Sequence, residues 1–70
     1  MAREYHWIMT LQWPVPGTGF GIGSADGIWL AGDFTRMQAF RELRKVAARA
    51  LDAPETAHVV FFAIEREERL

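Results

Sequence analysis

The sequence predicts a single amphipathic helix over residues 36–51, and this limits the layers that the chain can form. Thr35 and Gln38 match a capping box, in which the two side chains satisfy free backbone amides of the first helical turn. Pro54 ends the helix because proline cannot continue the hydrogen-bonding pattern. The apolar residues recur at helical spacing: Ala39, Phe40, Leu43, Val46, Ala47, Ala50 and Leu51. One helix can cover only one face of a sheet.

Three further segments, residues 4–13, 19–30 and 57–64, have the composition of strands. The first alternates well, and its larger apolar side chains share one face: Tyr5, Trp7, Met9, Leu11 and Trp13. In the second, Phe20 and Ile22 lie opposite glycines 19, 21 and 23, so we expect the glycine face to be bare. Asp26-Gly27 indicates either a bulge within one long strand or a tight turn between two short ones. We favour the bulge, since residues 28–30 are short for a separate strand.

The element order is therefore β-β-α-β, which predicts one α+β domain spanning residues 1–70. Because a helix joins the second and third strands, these two strands should run parallel. A crossover that leaves one strand between them gives a three-stranded sheet of order 2-1-3, with the helix packed on one face. The rival order, 1-2-3, places the glycine-rich strand in the centre, where it would pack poorly.

The last strand, HVVFFAI, does not alternate between apolar and polar residues. Its pattern places Val60, Phe62 and Ile64 on one face and Val59, Phe61 and Ala63 on the other. Only one of these faces can contact the helix. We expect Val59 and Phe61, with Ile8 of the first strand, to form an exposed apolar patch. A second copy should cover this patch, pair with the uncovered edge of the last strand, or do both. The alternative is that the carboxy-terminal tail or the 14–19 loop folds over the patch.

The composition favours a small folded chain that self-associates. Seventy residues bury little apolar area, and without cysteine no disulfide can compensate. A net charge of −1 gives the whole molecule no bulk attraction for nucleic acid. No segment has the roughly 20 apolar residues needed to cross a bilayer, and residues 1–13 lack the apolar core of a signal peptide. We therefore expect a cytoplasmic homodimer. The tail EREERL, residues 65–70, is expected to be a frayed, solvated end, and the alternative is that it docks on the basic helix surface of a second subunit.

Two sets of residues are candidates for partner contacts. Arg41, Lys45 and Arg49 are spaced four apart, so they form one basic stripe on the exposed side of the helix. Such a stripe is either a solvated face or a contact with the phosphate backbone of a nucleic acid. Trp13 and Trp29 lie at strand ends, where an exposed indole would favour binding of a protein partner.

The residues do not indicate an enzyme, a cofactor or a metal site. GTGFGIG, residues 17–23, lacks both the G-x-G-x-x-G spacing and the P-loop lysine, and no helix begins directly after it. His6 and His58 are too few ligands for a metal site without cysteine. Ser24 is the only serine and has no histidine near it in sequence.

The segments YHWIMTLQWP, GDFTRMQAFRELRK and VVFFAIE resemble short Streptomyces-type actinobacterial proteins of unknown function, a resemblance that implies no site residues. GDFTRMQAFREL also resembles the turn and helix opening of HicB-type antitoxins, which implies a toxin as protein partner. From the residues themselves we expect a non-enzymatic, homo-oligomeric protein-interaction module. The alternative is a small nucleic-acid-binding regulator that uses the basic stripe.

Overall fold

The computed structural model describes residues 2–67 and confirms the α+β class with the predicted sheet order. The elements are β1 (Arg3–Val15), β2 (Gly19–Ala31), α1 (Arg36–Ala50) and β3 (His58–Arg66). The sheet order is β2-β1-β3, and both outer strands are antiparallel to β1. β2 and β3 therefore run in the same direction, as the helical crossover predicts. Of the predicted tail, residues 65 and 66 extend β3, whereas residues 68–70 lie outside the described part.

β1 and β2 form one long hairpin with an unbroken register from Arg3↔Ala31 to Val15↔Gly19. The tip is a tight turn in which the Thr18 amide donates to the Val15 carbonyl at 3.2 Å. Gly17 has φ +84°, the left-handed conformation that the position after Pro16 in a type II turn requires. Residues 19–31 are thus a single strand, and the bulge that we favoured within that strand is absent.

The register irregularity lies instead between β1 and β3. Thr10 pairs with Phe61, but the next residue, Leu11, pairs with Val59, so Val60 is an extra residue in β3. This bulge rotates Val59 onto the helix-covered side, where it packs against the core. The assignment of Val59 to the outer face is therefore wrong, whereas Phe61 is exposed as predicted.

The core lies between α1 and the centre of the sheet. From the sheet, Trp7, Met9 and Leu11 are buried, as their alternation predicts. From the helix and the segment that follows it, the buried residues are mostly small: Ala39, Leu43, Ala47, Ala48 and Ala57. The predicted apolar stripe is rotated slightly from the true one, because Val46 is 45% exposed while Ala48 is buried.

The glycine face of β2 is covered at Gly21 and Gly23, whereas a Cβ atom at Gly19 would meet nothing within 4 Å. A Cβ atom at Gly21 would lie 2.7 Å from Cε2 and Nε1 of the Trp13 indole, which therefore lies directly on the glycine backbone. A Cβ atom at Gly23 would lie 3.1 Å from Cδ2 of Leu51. Small residues on β2 thus make room for large side chains from β1 and the helix end.

Both ends of α1 are closed by local hydrogen bonds. The Gln38 amide donates to the Thr35 hydroxyl at 3.1 Å, and the Thr35 amide donates to the Gln38 side chain at 2.8 Å, which confirms the capping box. At the other end Asp52 has φ 52°, and the Ala53 amide donates to the Ala48 carbonyl at 2.8 Å. This pattern is a Schellman motif, which ends the helix just before Pro54.

Candidate functional site

The face of the sheet opposite α1 carries the largest group of exposed apolar side chains in residues 2–67. Residues on this face of β1 and β2 pair across the hairpin, as Ile8 does with Asp26, and β3 adds two more at the other edge. We call this surface the open face and define it by its apolar residues: Ile8, Phe20, Ile22, Ile28, Leu30, Phe61 and Ala63. Phe20 is 72% exposed and Ile22 is 67% exposed. Of the predicted patch, Ile8 and Phe61 belong to this face.

Two polar contacts cross the middle of the open face between β1 and β2. The Thr10 and Ser24 hydroxyls form a hydrogen bond of 2.7 Å. His6 Nε2 lies 3.5 Å from Asp26 Oδ2. These polar pairs divide the apolar side chains of β2 into two clusters, with Phe20 and Ile22 toward the hairpin tip and Ile28 with Leu30 toward the other end.

The molecule exposes more surface than a compact monomer of its size. Its accessible surface is 5318 Å², against about 4,450 Å² expected for a monomeric protein of 8.0 kDa. Its radius of gyration is 13.3 Å, whereas about 11 Å is typical of a 70-residue domain. The molecule is therefore thinner and more extended than a compact domain of the same length.

The two edge strands of the sheet differ in how their backbones are protected. β3 carries the bulge at Val60, ends in Glu65 and Arg66, and has its Phe62 carbonyl bonded by the Arg36 guanidinium at 3.3 Å. Bulges and charges of this kind discourage pairing with another chain. β2 is 13 residues long, has an unbroken register, and contains no lysine, arginine or proline. The edge of β2 is therefore the better template for pairing with another strand.

The two tryptophans predicted as partner anchors lie on the helix-covered side of the sheet. Trp13 lies over Gly21, and Trp29 makes an edge-to-face contact with Phe34 at 4.8 Å between ring centroids. Both indoles are partly buried and pack against the core. This packing accounts for both residues without a partner, and their role as anchors stays a prediction.

The basic stripe is exposed on α1, as predicted. Arg41, Lys45 and Arg49 all face solvent, and Lys45 Nζ lies 3.8 Å from Glu42 Oε1. A groove of about 360 Å³ beside the stripe is lined by Arg44, Lys45, Ala48, Arg49, Ala53 and Glu55. Arg44 donates to the carbonyls of Glu55 and Ala57, so it holds the segment after the helix against α1. Sequence reasoning placed the stripe but missed this groove, because the groove depends on how residues 53–57 fold back.

Residues 2–67 contain no group of three or more His, Cys, Asp or Glu side chains placed to hold a metal ion. His6 pairs with Glu65 and His58 pairs with Gln12, so the two histidines lie toward opposite ends of the sheet. Among the described residues, α1 is too short and too polar to span a bilayer.

Comparison with known proteins finds no matching family model, no matching curated protein and no matching solved structure. The resemblances to actinobacterial proteins and to HicB-type antitoxins therefore stay predictions.

Proposed function

We propose that this protein is a small, non-enzymatic, cytoplasmic interaction module that works as a homo-oligomer. The observation that carries the proposal is the open face, where five large apolar side chains are at least half exposed on one side of a sheet: Phe20, Ile22, Ile28, Leu30 and Phe61. Monomeric proteins rarely leave apolar patches of this extent uncovered. A second copy of the chain is a self-complementary cover, since a two-fold contact brings the same surface together from both subunits.

The open face also supplies a driving force for the contact. Phe20, Ile22 and Leu30 are each at least 65% exposed. Removing apolar surface of this kind from water is the main favourable contribution to most protein association. We therefore expect the open face to drive the formation of the oligomer.

A charge placed on the open face should weaken self-association. Phe61→Glu would place a carboxylate in the buried contact, where an unpaired charge is costly. We expect the dissociation constant to rise at least about 100-fold, measured by sedimentation equilibrium over a concentration series. Met37→Glu is the matched control, because Met37 is 58% exposed but lies on the helix. Equal association of both variants and the unmodified protein would contradict the proposal.

The second candidate function is nucleic-acid binding through the basic stripe, which the adjacent groove favours. Lys45 and Arg49 line this groove, and Arg41 lies one turn before Lys45. If the stripe contacts phosphates, the affinity for a short duplex should fall steeply with salt. Replacing Arg41, Lys45 and Arg49 together with glutamine should remove that dependence, whereas replacing Arg3 and Arg66 should not. An unmodified protein that binds no duplex at about 50 mM salt would eliminate this candidate.

A further inference from the structure

We infer that the outer edge of β2 pairs antiparallel with β2 of a second copy, about a two-fold axis that passes beside Ala25. The pairing would join two three-stranded sheets into one six-stranded antiparallel sheet with both helices on the same side. The inference rests on the proposed function only in that the partner is a second copy. It concerns a different surface, the backbone edge of β2 rather than the side chains of the open face.

The residues of β2 that lie on the open face are nearly symmetric about Ala25 in side-chain size and polarity. In antiparallel pairing centred on this residue, each position faces the one equally far on the other side of the centre. On the open face this places Phe20 opposite Leu30 of the second copy, Ile22 opposite Ile28, and Ser24 opposite Asp26. Apolar residues thus meet apolar residues, and a hydroxyl donor meets a carboxylate acceptor.

On the helix-covered side of β2, the facing residues are compatible in size rather than symmetric. The same register places Gly21 opposite Trp29 of the second copy and Gly23 opposite Gly27. The structure already uses this combination inside the hairpin, where Trp13 pairs with Gly21 and Trp7 pairs with Gly27. Trp13 already covers Gly21, and Trp29 packs on Phe34 within its own chain, so neither indole has to move in the new pair. Gly21 also adds no side chain that could clash with Trp29 of the second copy across the new edge.

Neighbouring registers are less favourable, which makes the inference specific. Sliding the second strand by one residue would place each side chain opposite one on the other face of the sheet, so only slides of two residues need comparison. A slide of two residues moves the centre of pairing from Ala25 to either Asp26 or Ser24. Centring the pair on Asp26 places the two Asp26 carboxylates directly opposite each other, and like charges in that position are destabilising. Centring the pair on Ser24 places Ile22 opposite Asp26. The register centred on Ala25 avoids both conflicts.

The outer edge of β2 is long, regular and nearly uncharged, as strand pairing requires. The strand runs 13 residues without a bulge, and its only charged residue is Asp26. Such an unprotected edge offers free amides and carbonyls to another chain. The edge of β3 is less suited to pairing. The bulge at Val60 and the Arg36 contact to the Phe62 carbonyl interrupt it.

Single cysteines test the register directly, since the chain has none of its own. In the inferred pair the two Ala25 Cα atoms lie about 4.5–5.5 Å apart, within the range that a disulfide bridges. The two Ser24 Cα atoms are diagonal neighbours about 7–8 Å apart, beyond that range. Under mild oxidation Ala25→Cys should therefore form covalent dimers at least about tenfold faster than the near-isosteric control Ser24→Cys. Both variants are first checked for the circular dichroism spectrum of the unmodified protein.

Cross-linking at position 24 that equals or exceeds cross-linking at position 25 would overturn the inference. Hydrogen exchange of the unmodified protein gives a second measurement that needs no substitution. β2 amides should become more protected as the concentration rises, and unchanged β2 protection in a protein that sediments as an oligomer would also overturn it. An oligomer with unchanged β2 protection would contradict only the edge pairing and leave the proposed function intact. A protein that stays monomeric at every concentration would contradict both the edge pairing and the proposed function. Ala25→Cys should still cross-link in a Phe61→Glu background if the edge acts independently of the open face.

Discussion

At the scale of single residues, the contact of Trp13 with Gly21 shows how a glycine-rich strand can support a folded sheet. The indole lies against the glycine backbone at a distance that no Cβ atom would allow. Trp7 has the same cross-strand relation to Gly27, but there a Cβ atom would lie 3.5 Å from Nε1, which is ordinary van der Waals contact. Substitutions at Gly21 and Gly27 therefore compare a tightly covered glycine with a loosely covered one in the same strand.

Alanine substitutions at these two glycines should have opposite effects on stability. Gly21→Ala forces the Trp13 ring to move and should lower the free energy of unfolding by about 1–3 kcal/mol. Gly27→Ala meets no clash and removes backbone entropy from the unfolded chain, so it should raise that free energy by up to about 1 kcal/mol. Urea unfolding followed by tryptophan fluorescence measures both. A Gly21→Ala protein as stable as Gly27→Ala would show that the Trp13 contact is not close.

The sequence predicted the face of Gly21 but not the indole that covers it, and it did not place Gly27 on that face. Alternation fixes the face of each residue within its own strand. The partner across the strand depends on the hairpin register, which is set here by the turn at Pro16-Gly17. A different turn length would place other residues over Gly21, so no local pattern in β2 could reveal the indole.

At the scale of elements, α1 packs on the sheet mainly through small side chains. Leu43 is its only fully buried large residue, and the other buried positions are alanines. Alanines allow the helix backbone to approach the sheet closely, but they contribute little apolar area. Leu43, together with the partly buried Phe40, therefore supplies much of the apolar contact that holds α1 in place.

Truncating Leu43 should cost far more than truncating a neighbouring exposed residue. Leu43→Ala removes buried methyl groups and leaves a cavity, which should lower the free energy of unfolding by about 2–5 kcal/mol. Val46→Ala changes a side chain that is 45% exposed and should cost less than about 1 kcal/mol. Thermal unfolding followed by circular dichroism measures the loss of stability in each of the two variants. Comparable losses would mean that the helix packs through a face that includes Val46.

The element boundaries were largely predictable, but the bulge in β3 was not. The capping box, Pro54 and the alternation of β1 identify the helix and the central strand by local chemistry alone. In β3 the residues from Val59 to Phe62 are all strand formers, so nothing in the sequence marks Val60 as the extra one. The bulge is favoured by tertiary packing, since it lets both Val59 and Phe62 contact the core.

At the scale of the whole molecule, the chain is a thin, elongated two-layer structure with extents of 47 × 24 × 16 Å. The sequence predicted the open face, because a chain with one helix and a strand that is apolar on both faces cannot cover both sides of its sheet. It underestimated how much β2 contributes, since Phe20, Ile22, Ile28 and Leu30 all lie on that face. Within residues 2–67, neither the 14–19 loop nor residues 65–67 cover these side chains.

Sedimentation equilibrium of the unmodified protein from low to high micromolar concentration shows whether the chain self-associates. If a second copy covers the open face, the mass should be at least twice the 8.0 kDa of one chain, rising with concentration and little changed by added salt, because apolar burial drives the association. A single 8.0 kDa species throughout the range would mean that the open face stays in water, and self-association could then no longer be proposed.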